Sequence, residues 1–341
     1  PRINYDANGE NGALLLEPSR SNFIKYGTYF NGWGIKSGVT ATTNTITSPD
    51  GLQNASTIAA TSSATNYIGE YYTFSASTKY TYSVFVKNNT STKMRLQVYD
   101  SSQYSTLDFD QSDSVSYSAN LDSYDFVDYG NGWRRVIISF TTSSGAGSGY
   151  VQIYPDRNGN NHSMYAFGAQ LEAGSYASSY VPTYGSAVTR SADSCSVTGV
   201  SDVIGQSEGT LFIEFDHRYM ASYPNEYIID LEDSTHKLWI RKESAGNTLT
   251  SRLIVSGSNV WTIGISATDG IAKIALAYKS GDSAVYYNGT QIGTSSGTFS
   301  GSSFSKIYFN LAGSAIPELK AKNLTLYKER LSNTELADLT A

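Results

Sequence analysis

The feature that most constrains this chain is a period-two alternation of apolar and polar residues along nearly its whole length. Successive side chains of an extended strand point to opposite faces, so this pattern calls for strands with one face buried. Over 79–88, Tyr80, Tyr82, Val84 and Val86 share one face; Thr81, Ser83, Phe85 and Lys87 share the other. Over 93–100, Met94, Leu96 and Val98 oppose Arg95, Gln97 and Tyr99. The run Trp133–Thr142 is apolar and β-branched, which predicts a strand buried on both faces. Further strands are expected near 67–74, 124–129, 148–154 and 163–171, between turn formers such as Ser48-Pro49-Asp50-Gly51 and Asn131-Gly132. About eight to ten short strands in this first half predict an antiparallel sandwich of the jelly-roll type.

At 341 residues the chain has the length of about two domains. The segment 173–208 changes character, with Gly174, Pro182, Gly185, Gly199 and Gly205 among small polar residues. It reads as a linker packed along the first domain through Tyr176, Tyr180, Val181 and Tyr184. A second strand series starts at Gly209. Leu211, Ile213 and Phe215 alternate with Phe212, Glu214 and Asp216, and Asn288-Gly289 marks a type I′ hairpin turn. A single helix is expected at the end, where Ser332 and Glu335 form a capping box before Leu336 and Leu339. The predicted fold class is all-β: a sandwich over 1–172, a packed linker over 173–208 and a second sandwich over 209–341, closed by a short helix. Only 16% of residues are charged, and 27 tyrosines outnumber 13 phenylalanines, which fits exposed, turn-rich β-structure. The net charge of −6 excludes binding of nucleic acid through a broad basic surface. The lone Cys195 excludes an intrachain disulfide and a cysteine-ligated zinc site. No apolar run is long enough to insert in a membrane. The start at Pro1 without a methionine is expected of a fragment or processed product.

Several segments resemble a known family. PRINYDANGENGALLLEPSRSNFI at 1–24, SPDGLQNASTI at 48–58, GNGWRRVIISFTT at 130–142 and AFGAQLEAGSYASSYVPTYGSAVTRSAD at 166–193 are similar to carbohydrate-binding-module-like domains of tailed-bacteriophage tail and fibre proteins. The resemblance covers about residues 1–195. Residues 207–341 resemble the laminin-G/concanavalin-A-like superfamily in GTLFIEF, AVYYNGTQIG and KNLTLYKERLSNTELADL. The resemblance implies a virion surface component that contacts host glycans, assembled as a homotrimer with other virion proteins as neighbours.

Catalytic motifs are missing from the pattern. His162, His217 and His236 form no His-Glu-x-x-His pair, and no Gly-x-Ser-x-Gly elbow precedes a helix. Each histidine is read as exposed or hydrogen-bonded. Glycoside hydrolysis needs two carboxyls flanking one bond. The acidic clusters Asp108, Asp110, Asp113 and Asp122, Asp125, Asp128 are read as solvated loop charges, and Asp156 to Asn160 as a polar turn. Sandwiches of this kind often hold one structural calcium, for which Glu17 and Glu172 are the candidates; no other cofactor is expected.

A sugar is held by aromatic rings against its C–H faces and by planar polar groups on its hydroxyls, each of which must be paired when desolvated. The pattern sought is therefore an aromatic and a polar fork on the non-core face of a strand. Arg95, Gln97 and Tyr99 fit it, as do Gln152 and Tyr154 opposite Val151 and Ile153. In the second half Trp239, in phase with Arg241, is expected to be exposed and to meet either ligand or another subunit, since Trp and Arg are enriched at both kinds of hot spot. Trp261, Trp133 and Trp33 are expected to be structural. Tyr71, Tyr72, Tyr104, Tyr117, Tyr124 and Tyr129 serve either recognition or β-propensity. The expectation is a non-catalytic adhesion or fibre protein at the virion surface, outside the cell, binding bacterial surface polysaccharide. The rival readings are a polysaccharide depolymerase or its accessory module, and a purely structural decoration protein.

Overall fold

The computed structural model describes residues 2–5, 12–63, 65–112, 114–159, 161–216, 226–243, 248–268, 270–309 and 319–341. His217, Asp113 and Asn160 lie outside the described residues. The chain is all-β, built of antiparallel sheets, with one short C-terminal α-helix over Asn333–Thr340. It divides into two units: Arg20–Arg190, and Pro1–Ser19 together with Ser191–Ala341.

The Arg20–Arg190 unit is a sandwich of two six-stranded sheets among the described residues. One runs Val115–Tyr117, Tyr104–Phe109, Met94–Tyr99, Ser148–Tyr154, Tyr67–Thr73, Ile35–Ser37; the other runs Leu121–Asp128, Trp133–Thr141, Lys79–Asn88, Ser163–Ala173, Ala55–Ala60, Val39–Ile46. The alternation dictates which side of each sheet faces in. Leu96, Val98, Leu107, Val151 and Ile153 from the first sheet meet Val84, Val136, Ile138, Phe140 and Met164 from the second in one dry core. Each such side chain contributes about 1.5–3 kcal/mol when fully buried. The Trp133–Thr141 strand is buried on both faces, as its composition predicts. Val136, Ile138 and Phe140 enter the core, while Trp133 and Arg135 are covered on the opposite side.

What covers that opposite side is a polar clasp. Arg135 donates to the Ser178 carbonyl at 2.6 Å and to Ser83 Oγ at 2.9 Å. Gln170 donates to Glu172 Oε1 at 2.7 Å and accepts from Val181 N at 2.7 Å. Asn22 is saturated: its Nδ2 donates to the carbonyls of Ala169 and Val181, and its Oδ1 accepts from Ile24 N and Leu171 N. Buried amides with every partner in place fix a segment firmly, because breaking one leaves its mate unpaired. Tyr176 and Val181 are buried here as expected, but Tyr184 is exposed.

The second unit pairs a seven-stranded sheet with a six-stranded one among the described residues. Ile213, Leu276 and Val285 from one pack against Leu231, Leu238, Ile240 and Leu253 from the other. Asn288 and Gly289 both have positive φ, 44° and 79°, as a type I′ turn requires. Ser332 and Glu335 make the reciprocal capping box at the start of the helix.

The division differs from the expected boundaries in two places. Ala13–Leu16 pairs with Leu319–Tyr327, so the N-terminal strands belong with the C-terminal sandwich, where Leu16 enters the core. The expected linker is itself shared out. Val188–Arg190 pairs with Arg20–Asn22 in the first unit, and Cys195–Thr198 pairs with Lys306–Phe309 in the second. Sequence contiguity concealed both, because pairing across long separations leaves no local mark.

Candidate functional site

The outer face of the first sheet in the Arg20–Arg190 unit gathers the five side chains predicted there. Met94–Tyr99 and Ser148–Tyr154 are adjacent and antiparallel, with Tyr99 opposite Tyr150, Gln97 opposite Gln152 and Arg95 opposite Tyr154. The neighbouring strands complete three rows across the sheet. Tyr104, Tyr99, Tyr150 and Tyr71 form the first; Thr106, Gln97, Gln152 and Gly69 the second; Asp108, Arg95 and Tyr154 the third, which Tyr67 extends.

The tyrosine row is a stepped aromatic surface. Tyr99 stacks on Tyr104 with ring centroids 4.6 Å apart and tilts against Tyr150 at 5.3 Å. The hydroxyls of Tyr104 and Tyr150 are 3.3 Å apart, and Tyr99 donates to the Ser101 carbonyl at 2.8 Å. Burial and the Tyr104 hydrogen bond push the Tyr150 hydroxyl up. Tyr71 and Tyr104 are 66% and 47% exposed and offer their rings outward.

The amide row lies deeper. Gln97 and Gln152 are only 6% and 3% exposed. Gln97 Nε2 donates to Gln152 Oε1 at 2.9 Å and to Tyr154 Oη at 3.1 Å; Tyr154 Oη donates back to Gln152 Oε1 at 3.1 Å. The expectation that both amides meet ligand directly is thus corrected: the tyrosines and Arg95 wall them in, and they serve mainly as the floor. Gln152 Nε2 has no acceptor among the described residues and is the amide donor still available. Gly69 makes this floor possible, since a Cβ there would lie 2.6 Å from Gln152 Cγ.

The third row carries charge. Arg95 grips Asp108 bidentately, Nε to Oδ1 at 2.7 Å and Nη2 to Oδ2 at 2.8 Å. Arg157 Nε is 3.5 Å from the same carboxylate. Hydrogen bonds to Asp108 hold the Arg95 guanidinium firmly protonated. The two guanidiniums lie 5.7 and 5.2 Å from the Tyr154 ring centroid, and burial pushes its hydroxyl up. Asp108 is therefore an ion-pair partner and not the solvated loop charge expected. The alternation of Ser105, Leu107 and Phe109 with Tyr104, Thr106 and Asp108 was the signal that places it on this face.

Other candidates fall elsewhere. Trp239 is 3% exposed, which corrects the expectation of an exposed contact. It lies on the outer side of its sheet as its phase requires, but Tyr227 packs edge-on at 5.5 Å and the guanidiniums of Arg241 and Arg252 sit 5.2 and 5.3 Å over its ring. Arg241 is further tied to Glu243 at 2.9 Å. Trp33, Trp133 and Trp261 are buried. Glu17 and Glu172 lie in different units. Glu172 takes up Gln170 Nε2, Ser178 N and, at 3.5 Å, Arg20. Among the described residues no three His, Cys, Asp or Glu side chains gather as metal ligands. Asp110 and Asp128 accept backbone N–H groups in their own turns, and Asp122 pairs with Lys79 at 3.3 Å. Asp156 likewise orders its polar turn through Asn158 N and His162 N.

One constellation had no sequence signal. His236 Nδ1 is 2.8 Å from Asp233 Oδ2, and its Nε2 is 3.4 Å from Ser256 Oγ. That order of groups is the order of an acyl-transfer triad. Ser256 and Gly257, however, are the positive-φ residues of an exposed hairpin turn, and Gly257 N–H is bonded to the Thr235 carbonyl at 2.9 Å. The backbone donor beside the hydroxyl is committed, so it is not free to stabilise an oxyanion. These contacts tie two turns of one sheet together.

No family model matches the sequence, and no curated protein matches it. Likenesses to solved structures are partial. A structure of botulinum neurotoxin type C, whose access to cells is described as dependent upon interaction with two ganglioside molecules, aligns at 17% identity over 44% of this chain and 40% of that one, TM-score 0.38. The CBM40 of a Ruminococcus gnavus IT-sialidase, bound to α2,3-sialyllactose, aligns at 14% identity over 44% of this chain and 97% of that one, TM-score 0.35. The heptameric SAP-like pentraxin of Limulus polyphemus aligns at 16% identity over 41% and 72%, TM-score 0.33. The chain thus spans about two fifths of the length of the neurotoxin chain it matches. At these scores the likenesses carry no argument about this chain's function, which has to be read from its own surface. No helix among the described residues is long and apolar enough to cross a membrane.

Proposed function

We propose that this chain is a non-catalytic glycan-binding protein, and that the three-row face of the Arg20–Arg190 unit is its binding surface. One observation supports the reading above others: exposed tyrosine rings, a free amide donor and a fixed guanidinium stand side by side on one sheet face. Rings stack on the C–H faces of a sugar, and planar forks read its hydroxyls without an entropic cost of ordering, because hydrogen bonds already hold them. The face is open, so it suits successive units of a polysaccharide. Its charged row carries two guanidiniums for one carboxylate, which favours neutral or acidic sugars over amino sugars.

The resemblance of residues 1–195 to phage tail and fibre domains supports reading this activity as one of a virion surface, on a bacterial polysaccharide. A homotrimer, neighbouring other virion proteins, would multiply weak single sites through effective concentration. The test is a glycan array probed with the whole chain, wild type and Tyr71→Ala/Tyr104→Ala. Binding to bacterial polysaccharides that falls roughly tenfold or more in the variant supports the proposal. Unchanged binding in the variant, or no signal on any glycan, overturns it. Release of reducing ends from a bound polysaccharide would favour the depolymerase instead.

A further inference from the structure

The other sheet of the same unit carries a pocket that the three-row face does not touch. On its outer side, Phe85 and Phe167 stand on adjacent strands with ring centroids 5.8 Å apart. Tyr129 meets Phe85 edge-on at 4.8 Å, and Tyr180 closes on Phe167 at 5.5 Å. Together with Asp50 and Asn54 they line a cavity of about 360 Å³. That is near the lower end for small-molecule sites, and half of its lining residues are aromatic.

The polar groups decide what fits. Asp50 accepts from Ser48 Oγ, Leu52 N and Asn54 Nδ2. Burial alone would raise its pKa, but these hydrogen bonds more than offset it, so the carboxylate stays ionised. Asn54 Oδ1 and the Tyr180 hydroxyl are sealed within the wall, so the acceptor that a ligand reaches is the exposed Asp50 carboxylate. A wholly apolar ligand would strip water from that charge, at a cost. A ligand that donates hydroxyls can hydrogen-bond it instead. A cationic ligand is disfavoured, because Arg135 already stacks 5.2 Å from the Phe85 ring. The ligand is therefore neutral, rich in hydroxyl donors and flat enough to lie against rings. A pocket, unlike an open face, receives an end and not a run of chain.

We infer that this pocket is a second carbohydrate site, which takes a single neutral hexopyranose at the end of a glycan. Asp50, held in place by Asn54 Nδ2 at 2.9 Å, accepts its hydroxyls, and Phe85, Phe167 and Tyr129 meet its C–H surface. The inference rests on the pocket's own chemistry and stands whether or not the opposite face binds polysaccharide.

The experiment is saturation-transfer NMR on the whole chain with the methyl pyranosides of glucose, galactose, mannose, rhamnose, N-acetylglucosamine and N-acetylgalactosamine. Tetramethylammonium is run as the cationic probe. At least one pyranoside is expected to bind, roughly tenfold more weakly to Tyr129→Ala and to Asn54→Leu. Should Asn54→Leu fail to fold, Tyr184→Ala replaces it, since that ring lines the pocket while 83% exposed. Three outcomes overturn the assignment. No pyranoside binds; tetramethylammonium binds in their place; or binding survives Tyr129→Ala and is lost in Tyr104→Ala, which moves the sugar to the opposite sheet.

Discussion

Asp230 allows a sharp test of the C-terminal unit. It sits on the Glu226–Glu232 strand opposite Trp239 and Tyr308, with 0% exposure and no hydrogen bond to either oxygen among the described residues. Among the described residues Lys237 Nζ is 3.8 Å away and already bonded to Glu232 at 2.8 Å. Burial therefore dominates, and the Asp230 carboxyl is pushed from 3.8 up to about 8; Lys237 pulls it down only in part. The folded chain keeps this proton until pH is near 8, whereas the unfolded chain releases it near 3.8. Between those values the folded state binds more protons, so Asp230 makes stability fall as pH rises, by at most about 1.4 kcal/mol per unit. From pH 5 to pH 8 the loss amounts to roughly 4 kcal/mol. Asp230→Asn keeps the shape and carries no titrating proton. Its stability relative to wild type should rise by roughly that amount across the same interval, whatever constant offset the new amide introduces. Urea unfolding at pH 5, 6, 7 and 8, followed by fluorescence of Trp239 and Trp261 in the same unit, measures the difference. A difference that is flat with pH would show that Asp230 does not titrate in this window and would refute the reasoning.

Two shorter tests address the surfaces. Gly69→Ala puts a methyl 2.6 Å from both Gln152 Cγ and the Val151 carbonyl. It should cost about 1–3 kcal/mol by thermal unfolding and weaken glycan binding as the Gln152 floor shifts; a variant as stable and as competent as wild type would refute the packing argument. Ser256→Ala should leave the rate of p-nitrophenyl acetate hydrolysis at the background shown by wild type. A wild-type rate that this substitution abolishes would make Asp233, His236 and Ser256 a working triad.

The alternation over 94–99 and 148–154 was enough to turn Arg95, Gln97 and Tyr99, and likewise Gln152 and Tyr154, away from the core, because strand geometry leaves a side chain only two directions; the pairing of the two strands is what joins them on one face. What it left open is what lies above each outward residue. Gln97 and Gln152 are largely covered, with only the Gln152 Nε2 donor left available, and Trp239 is covered by Arg241 and Arg252, contacts between strands that no local pattern records. The pocket was illegible for the same reason. Its lining comes from 28–54, 85, 129, 167 and 180–184, joined only by the fold. The N-terminal strands misled because Leu15 and Leu16 read equally well as strand in either sandwich; only their pairing with Leu319–Tyr327 decides.

Two of the segments that carry the family resemblance hold the scaffold together, and such segments also supply Asp50, Phe167 and Tyr180 to the pocket. In GNGWRRVIISFTT, Trp133 is buried and donates to the Thr47 carbonyl at 3.1 Å, and Arg135 anchors Ser178 and Ser83. In AFGAQLEAGSYASSYVPT, Gln170, Glu172 and Ser178 form the clasp that binds the segment back onto the sheet. Gly168, at φ 59°, lets the chain pass Phe85, because a Cβ would lie 2.8 Å from that ring. Such residues resist change because each is buried and mutually satisfied. The three-row face, by contrast, lies outside these segments: Tyr71, Tyr99, Tyr104 and Tyr150 can be exchanged without opening the clasp. A scaffold arranged this way separates folding from recognition. Replacing the Tyr104, Tyr99, Tyr150 and Tyr71 row should therefore change which glycan is bound while leaving the sandwich standing, whereas replacing Gln170 or Arg135 should unfold the unit before it alters any preference.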